Sequence, residues 1–222
     1  MNRIVIAAAL FVLLLQATHS EAQAARTPVP QAIISGKTWM AVNLETRKFR
    51  NGEGVPEAQT PQDWKNAAEN KTPAWCSYNN DSATGKTYGL LYNWYAVTDP
   101  RGICPAGWRV PAGEDFTALL KASGGEDEAG VVLKSVDGWS GDSNGNNKSG
   151  FNARPAGYRS FDGEFQNLGD YGMWWSADKG NSIVASYLVI VNIGGSSAVR
   201  DGNKGDGYSI RCVKSSVAGP AR

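Results

Sequence analysis

Pro111–Ser123, PAGEDFTALLKAS, is the stretch on which the reading of the fold turns. Phe116, Leu119 and Leu120 recur at helical spacing and form one apolar stripe. Glu114 and Asp115 fall in the first turn, where a helix dipole favours acids, and Gly124-Gly125 stops the run. Upstream, Thr60-Pro61-Gln62-Asp63 carries a cap, a proline at the first helical position and an acid three residues on. It predicts a short helix through about Glu69. Gly36–Leu44 (GKTWMAVNL) alternates and predicts a half-buried strand with Thr38, Met40, Val42 and Leu44 on one face. Tyr88–Val97 (YGLLYNWYAV) has no charge and reads as buried.

Downstream, Glu126–Lys134 suits a second short helix, and Asp137–Asn152 (DGWSGDSNGNNKSGFN) is almost all turn-formers and must be irregular. Short strands with glycine-rich turns follow. Tyr187–Ile193 (YLVIVNI) is the clearest, and Tyr208–Val213 (YSIRCV) is the last. Helices early and strands late make an α+β pattern in one domain.

The chain of 222 residues carries 22 Lys+Arg against 21 Asp+Glu, a net charge of +1, so no strong field points to nucleic acid or an acidic membrane. Its single histidine is His19. That residue falls in a segment with the three parts of a secretory signal peptide: Asn2-Arg3, the apolar run Ile4–Leu15 and the small-x-small site Ala22-Gln23-Ala24. Residues 1–24 are therefore expected to be removed, and 25–35, with its prolines, to be a linker. The domain is expected over 36–214, and 215–222 as a disordered tail. An exported chain without histidine cannot run a Ser-His-Asp or Cys-His relay and lacks imidazole for the usual zinc sites. No second apolar stretch of spanning length follows, so membrane insertion is not expected.

Several short motifs fail on their context. Gly85-Lys86-Thr87 lacks the upstream glycine of a phosphate-binding loop, where Asn80 stands. Ser176-Ala177-Asp178-Lys179 has the spacing of serine acyl-enzymes without their partner motifs. Asp142, Asn144 and Asn146 have the oxygen spacing of a calcium loop, but Asn147 replaces its glycine and Ala153 its bidentate acid. They stand as weak calcium candidates beside the plainer reading of a polar turn cluster. No other cofactor is expected. Export favours pairing two of Cys76, Cys104 and Cys212, and the residues leave open which two.

Six blocks in order look specific: Gly36–Leu44, Tyr88–Val97, Cys104–Pro111 (CPAGWRVP), Gly150–Arg159 (GFNARPAGYR), Trp174–Ala177 (WWSA) and Gly207–Val213 (GYSIRCV). Together they resemble the Fibrobacter succinogenes major paralogous domain, a family of exported bacterial proteins, from about Gly36 to Lys214. The resemblance implies a C-type-lectin-like fold: two short helices, short antiparallel strands, a long irregular loop region and paired first and last strands. It also favours a Cys104–Cys212 disulfide, since related folds join the first helix region to the last strand.

Similar domains serve as variable proteins of diversity-generating retroelements, whose C-terminal segment changes ligand specificity; here that segment would be Trp174–Arg211. The expectation is thus a binding module for a glycan or protein. Its surface would comprise Trp174, Trp175, Asp178, Asn181, Tyr187, Asn192, Asp201, Asn203, Lys204 and Asp206, with one of the two tryptophans buried and the other partly available. The alternatives are an enzyme, because formylglycine-generating enzymes share the fold and use a cysteine pair, or a structural surface protein without a discrete ligand. Nothing in sequence around Cys76 argues for an activated thiol.

Overall fold

A computed structural model describes residues 28–215. The expected targeting segment 1–24 and the expected tail beyond Ser215 lie outside the described residues. The fold is α+β, with five helices among the described residues: α1 (Pro61–Glu69), α2 (Ser82–Tyr88), α3 (Trp94–Val97), α4 (Gly113–Ala122) and α5 (Ala129–Leu133). The strands are β1 (Gln31–Ile34), β2 (Lys37–Met40), β3 (Trp75–Cys76), β4 (Leu91–Tyr92), β5 (Trp108–Arg109), β6 (Tyr158–Arg159), β7 (Phe165–Gln166), β8 (Tyr171–Trp175), β9 (Val184–Val191), β10 (Ser197–Asn203) and β11 (Val213–Lys214). They form antiparallel sheets in the orders β1-β2-β11-β5, β10-β9-β8, β3-β4 and β6-β7.

Helix α1 starts where the sequence says it should. Thr60 caps α1 and exchanges hydrogen bonds with Asp63 in a capping box, with Pro61 just inside the start. This helix buries Trp64, whose indole donates to the Gly205 carbonyl at 2.9 Å. In α4, Phe116, Leu119 and Leu120 are buried, and the positive φ angles of Gly124 and Gly125 end the helix. The Asp115 carboxylate accepts from the Ala112 amide at 2.8 Å and pairs with Arg109 at 2.6 Å and with Lys37. Helix α2 was not expected. Gly85-Lys86-Thr87 lies within it, and Asp81 caps its first turn.

The linker expected over 25–35 ends early, because Gln31–Ile34 pairs with Lys37–Met40. The two-residue Ser35-Gly36 turn has positive φ at both positions, the geometry that matches strand twist in a hairpin. The one-faced alternation expected from Thr38 to Leu44 also fails. Trp39 and Met40 are both buried, while Val42 is 37% exposed. The strand stops at Met40, and its sheet is covered on both sides. Trp39 packs with Phe116, Phe151 and Val213, and Met40 with Ile103, Tyr92 and Cys212. Of the expected last strand, Tyr208–Val213, only Val213 lies in a regular strand, the two-residue β11. It pairs with Trp39 on one side and Arg109 on the other, so the first hairpin and the chain's end share a sheet.

Cys104 and Cys212 form a disulfide across 108 positions of sequence. Closing a loop of that length stabilises by roughly 4–5 kcal/mol in the chain-entropy account. A buried polar knot lies beside it. The Arg211 guanidinium donates to Asn43 Oδ1 and to the carbonyls of Phe151 and Asn152, and it packs against the Phe151 and Trp174 rings. Burial pushes Arg211 down to about 9, with Arg154 adding to the shift, so it remains charged near neutrality. Asp137–Asn152 is irregular, as expected, yet it is pinned. Lys134 donates to Ser143 O at 3.1 Å over the Trp139 ring, and Trp139 Nε1 to Ala153 O at 3.0 Å.

Candidate binding face

The three-stranded sheet β10-β9-β8 has two unlike faces. Register sets Trp174 opposite Leu188 and Leu188 opposite Val199; these side chains join Phe116, Leu119 and Leu120 beneath α4. The alternate set points the other way: Tyr171 and Trp175 on β8, Tyr187, Val189 and Val191 on β9, and Arg200 on β10. On that side Tyr171, Tyr187, Val189 and Val191 are half-buried and Arg200 is exposed.

The chain's last segment completes this face. Bridges from Tyr92 to Tyr208 and from Trp174 to Ser209 bring Tyr208 against it. The Tyr208 ring centroid lies 4.2 Å from that of Trp175, 4.7 Å from Tyr187 and 5.9 Å from Tyr158. Gly202 makes the stack possible, since a Cβ there would meet the Tyr208 hydroxyl at 2.5 Å and the Tyr187 ring at 3.0 Å. Tyr208 donates to Asp206 Oδ2 at 2.8 Å, and Asp206 Oδ1 accepts from the Phe161 amide at 2.9 Å. Phe161 itself is 50% exposed.

Burial raises the Asp206 carboxyl above its usual range, although Tyr208 and the Phe161 amide pull it back. Burial, reinforced by Asp206, also raises Tyr158, Tyr187 and Tyr208, so all three phenols are neutral at pH 7 and can donate. The face therefore offers flat apolar rings edged by hydroxyl groups and one guanidinium, with the Asp206 carboxylate buried behind Tyr208.

Of the residues the sequence singled out, Tyr187 reaches this face, whereas Asp206 is buried beneath it with both carboxylate oxygens taken by Tyr208 and the Phe161 amide. The tryptophan expected to be partly available is not, because Trp174 and Trp175 are both fully buried. β8 is flanked by β9 on one edge and Ser209 on the other, and both its faces are covered. Trp174 Nε1 donates to Asn43 Oδ1 and Trp175 Nε1 to Tyr92 O, each at 2.8 Å. Lys204 is also buried, its ammonium over the Trp94 ring at 4.3 Å and bonded to Asn181 O.

Asp178 and Asn181 are exposed and, like Asn203, also accept from backbone amides. Asp178 accepts from the Gly113 amide at 2.8 Å at the start of α4. Asn181 accepts from Ile183 and Val184, Asn203 accepts from Gly205, and Asn192 donates to Asp170. Asp201 is exposed on β10 opposite Ser186, the register of the helix-side face. Sequence reasoning missed Tyr158, Phe161, Tyr171, Arg200 and Tyr208. The strand alternation from Tyr187 could have found Arg200 and Tyr171 only if the three-strand register had been known.

Two of the three weak calcium candidates spend a side-chain oxygen locally, while Asp142 is exposed. Asn144 Oδ1 accepts from the Trp139 amide and Asn146 Oδ1 from the Lys148 amide. Among the described residues no group of three or more His, Cys, Asp or Glu is placed to hold a metal ion. Cys76 is buried beside Arg159. Burial outweighs the guanidinium and pushes its thiol up to about 12, so it stays protonated near neutrality. No helix among the described residues is long and apolar enough to cross a membrane.

The family model described as the Fibrobacter succinogenes major domain matches residues 33–214. Comparison with curated proteins finds no match.

Proposed function

The chain belongs to the Fibrobacter succinogenes major domain family, and from that premise we propose that it is an exported recognition module whose ligand docks on the tyrosine face of β8, β9 and β10. One observation carries the reading. Tyr158, Tyr171 and Tyr187 stand half-buried, with the exposed Arg200 across from Tyr187, on a sheet braced from behind by α4. Tyrosines give large, stiff contact area with a polar tip, and they lose little side-chain entropy on binding. Hydroxyl groups, an exposed guanidinium and apolar rings suit a glycan or a hydroxyl- and amide-rich protein surface.

The disulfide and the signal-peptide pattern at the N-terminus support export. We further read the domain as C-type-lectin-like. The pairing of β2 with β11, and a disulfide from just before β5 to just before β11, support that reading. If the Trp174–Arg211 segment is a retroelement cassette, its variable positions should concentrate at Tyr187, Arg200 and Asp201, where side chains reach solvent. A genome neighbourhood lacking both a reverse transcriptase and a near-repeat of this segment would remove that part of the reading.

The test is a glycan and surface-protein screen with the chain from Ala25 onward. Tyr187→Ala should weaken a genuine hit by roughly 30-fold, the effect of losing a central aromatic contact. Asn181→Ala and Asn192→Ala should leave the hit intact. A hit that ignores Tyr187→Ala would place recognition elsewhere.

A further inference from the structure

One cavity shares no residue with the tyrosine face. It is a cleft of about 800 Å³ between the Glu45–Gly52 loop, one side of α2 and the Ile103–Ala106 segment that carries the disulfide. Phe49, Leu90, Ile103 and Cys104 contribute buried apolar surface to its lining. Arg47, Lys48, Arg50 and Lys86 also line it, and all four are exposed; Glu45 is the one carboxylate among the lining residues.

The four cations gather at one concavity and, like most cations among the described residues, form no ion pair there. Among the described residues, ion pairs involve Lys37, Arg101, Arg109 and Arg154, and none of the four. Arg50 is held in place through Nε and Nη2, which donate to Cys104 O at 3.2 and 3.0 Å, while Nη1 has no protein partner among the described residues. Arg47 lies over the Trp75 ring at 4.9 Å. Lys48 and Lys86 have neither ion pair nor side-chain hydrogen bond among the described residues. Like charges gathered at one concavity repel, and an anion entering there relieves that repulsion. The volume falls in the range of small-molecule sites, which combine an apolar wall with a few placed polar groups.

We propose that this cleft binds a small organic anion: an apolar body against Phe49, Leu90 and Ile103, with a carboxylate or comparable head at Arg50, Lys48 and Lys86. A cleft of this size has no room for a folded partner, and its apolar wall would be wasted on an inorganic ion. The site is independent of the tyrosine face and would stand if recognition there were disproved.

The probe is 8-anilinonaphthalene-1-sulfonate, whose fluorescence rises in apolar surroundings, titrated into the disulfide-intact chain. One saturable site is expected, weakening as salt is raised. The double variant Lys48→Glu/Lys86→Glu should bind the probe at least about tenfold more weakly. Ala106→Trp, a filling change at an exposed lining position, should do the same. Tyr187→Ala should change nothing. 4-Phenylbutyrate should displace the probe, and the neutral 4-phenylbutanol should not. Near-UV circular dichroism would certify that each variant is folded. Absence of saturable binding, indifference to both cleft variants, or equal displacement by acid and alcohol would each overturn the proposal. So would displacement by an acidic peptide but not by phenylbutyrate, which would make the occupant a protein segment.

Discussion

The two faces of the β8, β9 and β10 sheet are built from alternate residues of the same strands, yet they have opposite fates. Behind the sheet, Trp174, Leu188 and Ile190 are fully buried with the α4 stripe and with Trp39, Phe116 and Phe151. In front, Tyr171, Tyr187 and Val189 keep part of their surface in water. The difference does not lie in residue polarity, since both faces are rich in aromatics. It lies in what the rest of the chain lays over them. A helix with three buried apolar residues seals one side, whereas on the other Tyr92 and Tyr208 bury Trp175 but leave Tyr171, Tyr187 and Val189 partly in water. Half-exposed rings stacked on a rigid sheet are what a recognition surface requires.

The strongest way to break this contrast is to truncate one aromatic on each side. Trp174→Ala should cost about 3–5 kcal/mol, because it leaves a cavity and strips Asn43 and Arg211 of a packed neighbour. Tyr187→Ala should cost clearly less in urea unfolding, since much of that ring remains in contact with solvent. Equal losses would mean that the open face is core in all but exposure, and would undercut its reading as a binding surface.

The carboxylates on the two sides give a second and opposite pair of signatures. Asp115, on the sealed side, is pushed up by burial, but Arg109, Lys37 and the Ala112 amide outweigh that and hold it at about 2. A depressed value contributes stability above the unfolded value of about 3.9, and that stability is lost as pH falls towards 2. Asp115→Asn should therefore cost roughly 2 kcal/mol at pH 7 and progressively less below pH 4. Asp206, on the open side, is raised by burial and has no ion pair among the described residues. The folded state then holds its proton more tightly than the unfolded chain, so wild-type stability falls as pH climbs from about 4 through the raised value. Asp206→Asn should gain on wild type over that interval. Chemical denaturation of both variants across pH 2–8 reads both signs; matching slopes would refute the contrast.

How much of this was legible depended on the range of the interaction. The α1 capping box and the α4 stripe are written within a few residues, and both appear as read. The burial of both Trp174 and Trp175 was not legible. Alternation says that they point opposite ways, but whether each side is covered depends on Asn43 and Tyr92, which lie 131 and 83 positions away. The same holds in part for the polar residues read as a ligand surface. Lys204 looks like surface chemistry until Trp94 is found beneath it, whereas Asp178 is exposed as read and also accepts from the Gly113 amide. The irregular Asp137–Asn152 segment was recognisable from its turn-formers, though not its anchoring by the buried Lys134.

The smallest stability effect is the most discriminating test of the open face. Arg200 is exposed, its guanidinium donates only to the neighbouring Val199 carbonyl at 3.0 Å, and it lies across the strand pair from Tyr187. Replacing it by alanine removes no buried contact and no cap, so the unfolding free energy should move by less than about 0.5 kcal/mol. A surface arginine beside aromatic rings nevertheless belongs to a residue class enriched among binding hot spots. The unfolding transition should therefore be unchanged while affinity for any ligand captured through Tyr187 drops by about tenfold. A loss of stability without a loss of binding would turn Arg200 into a structural brace and narrow the recognition face to its tyrosines.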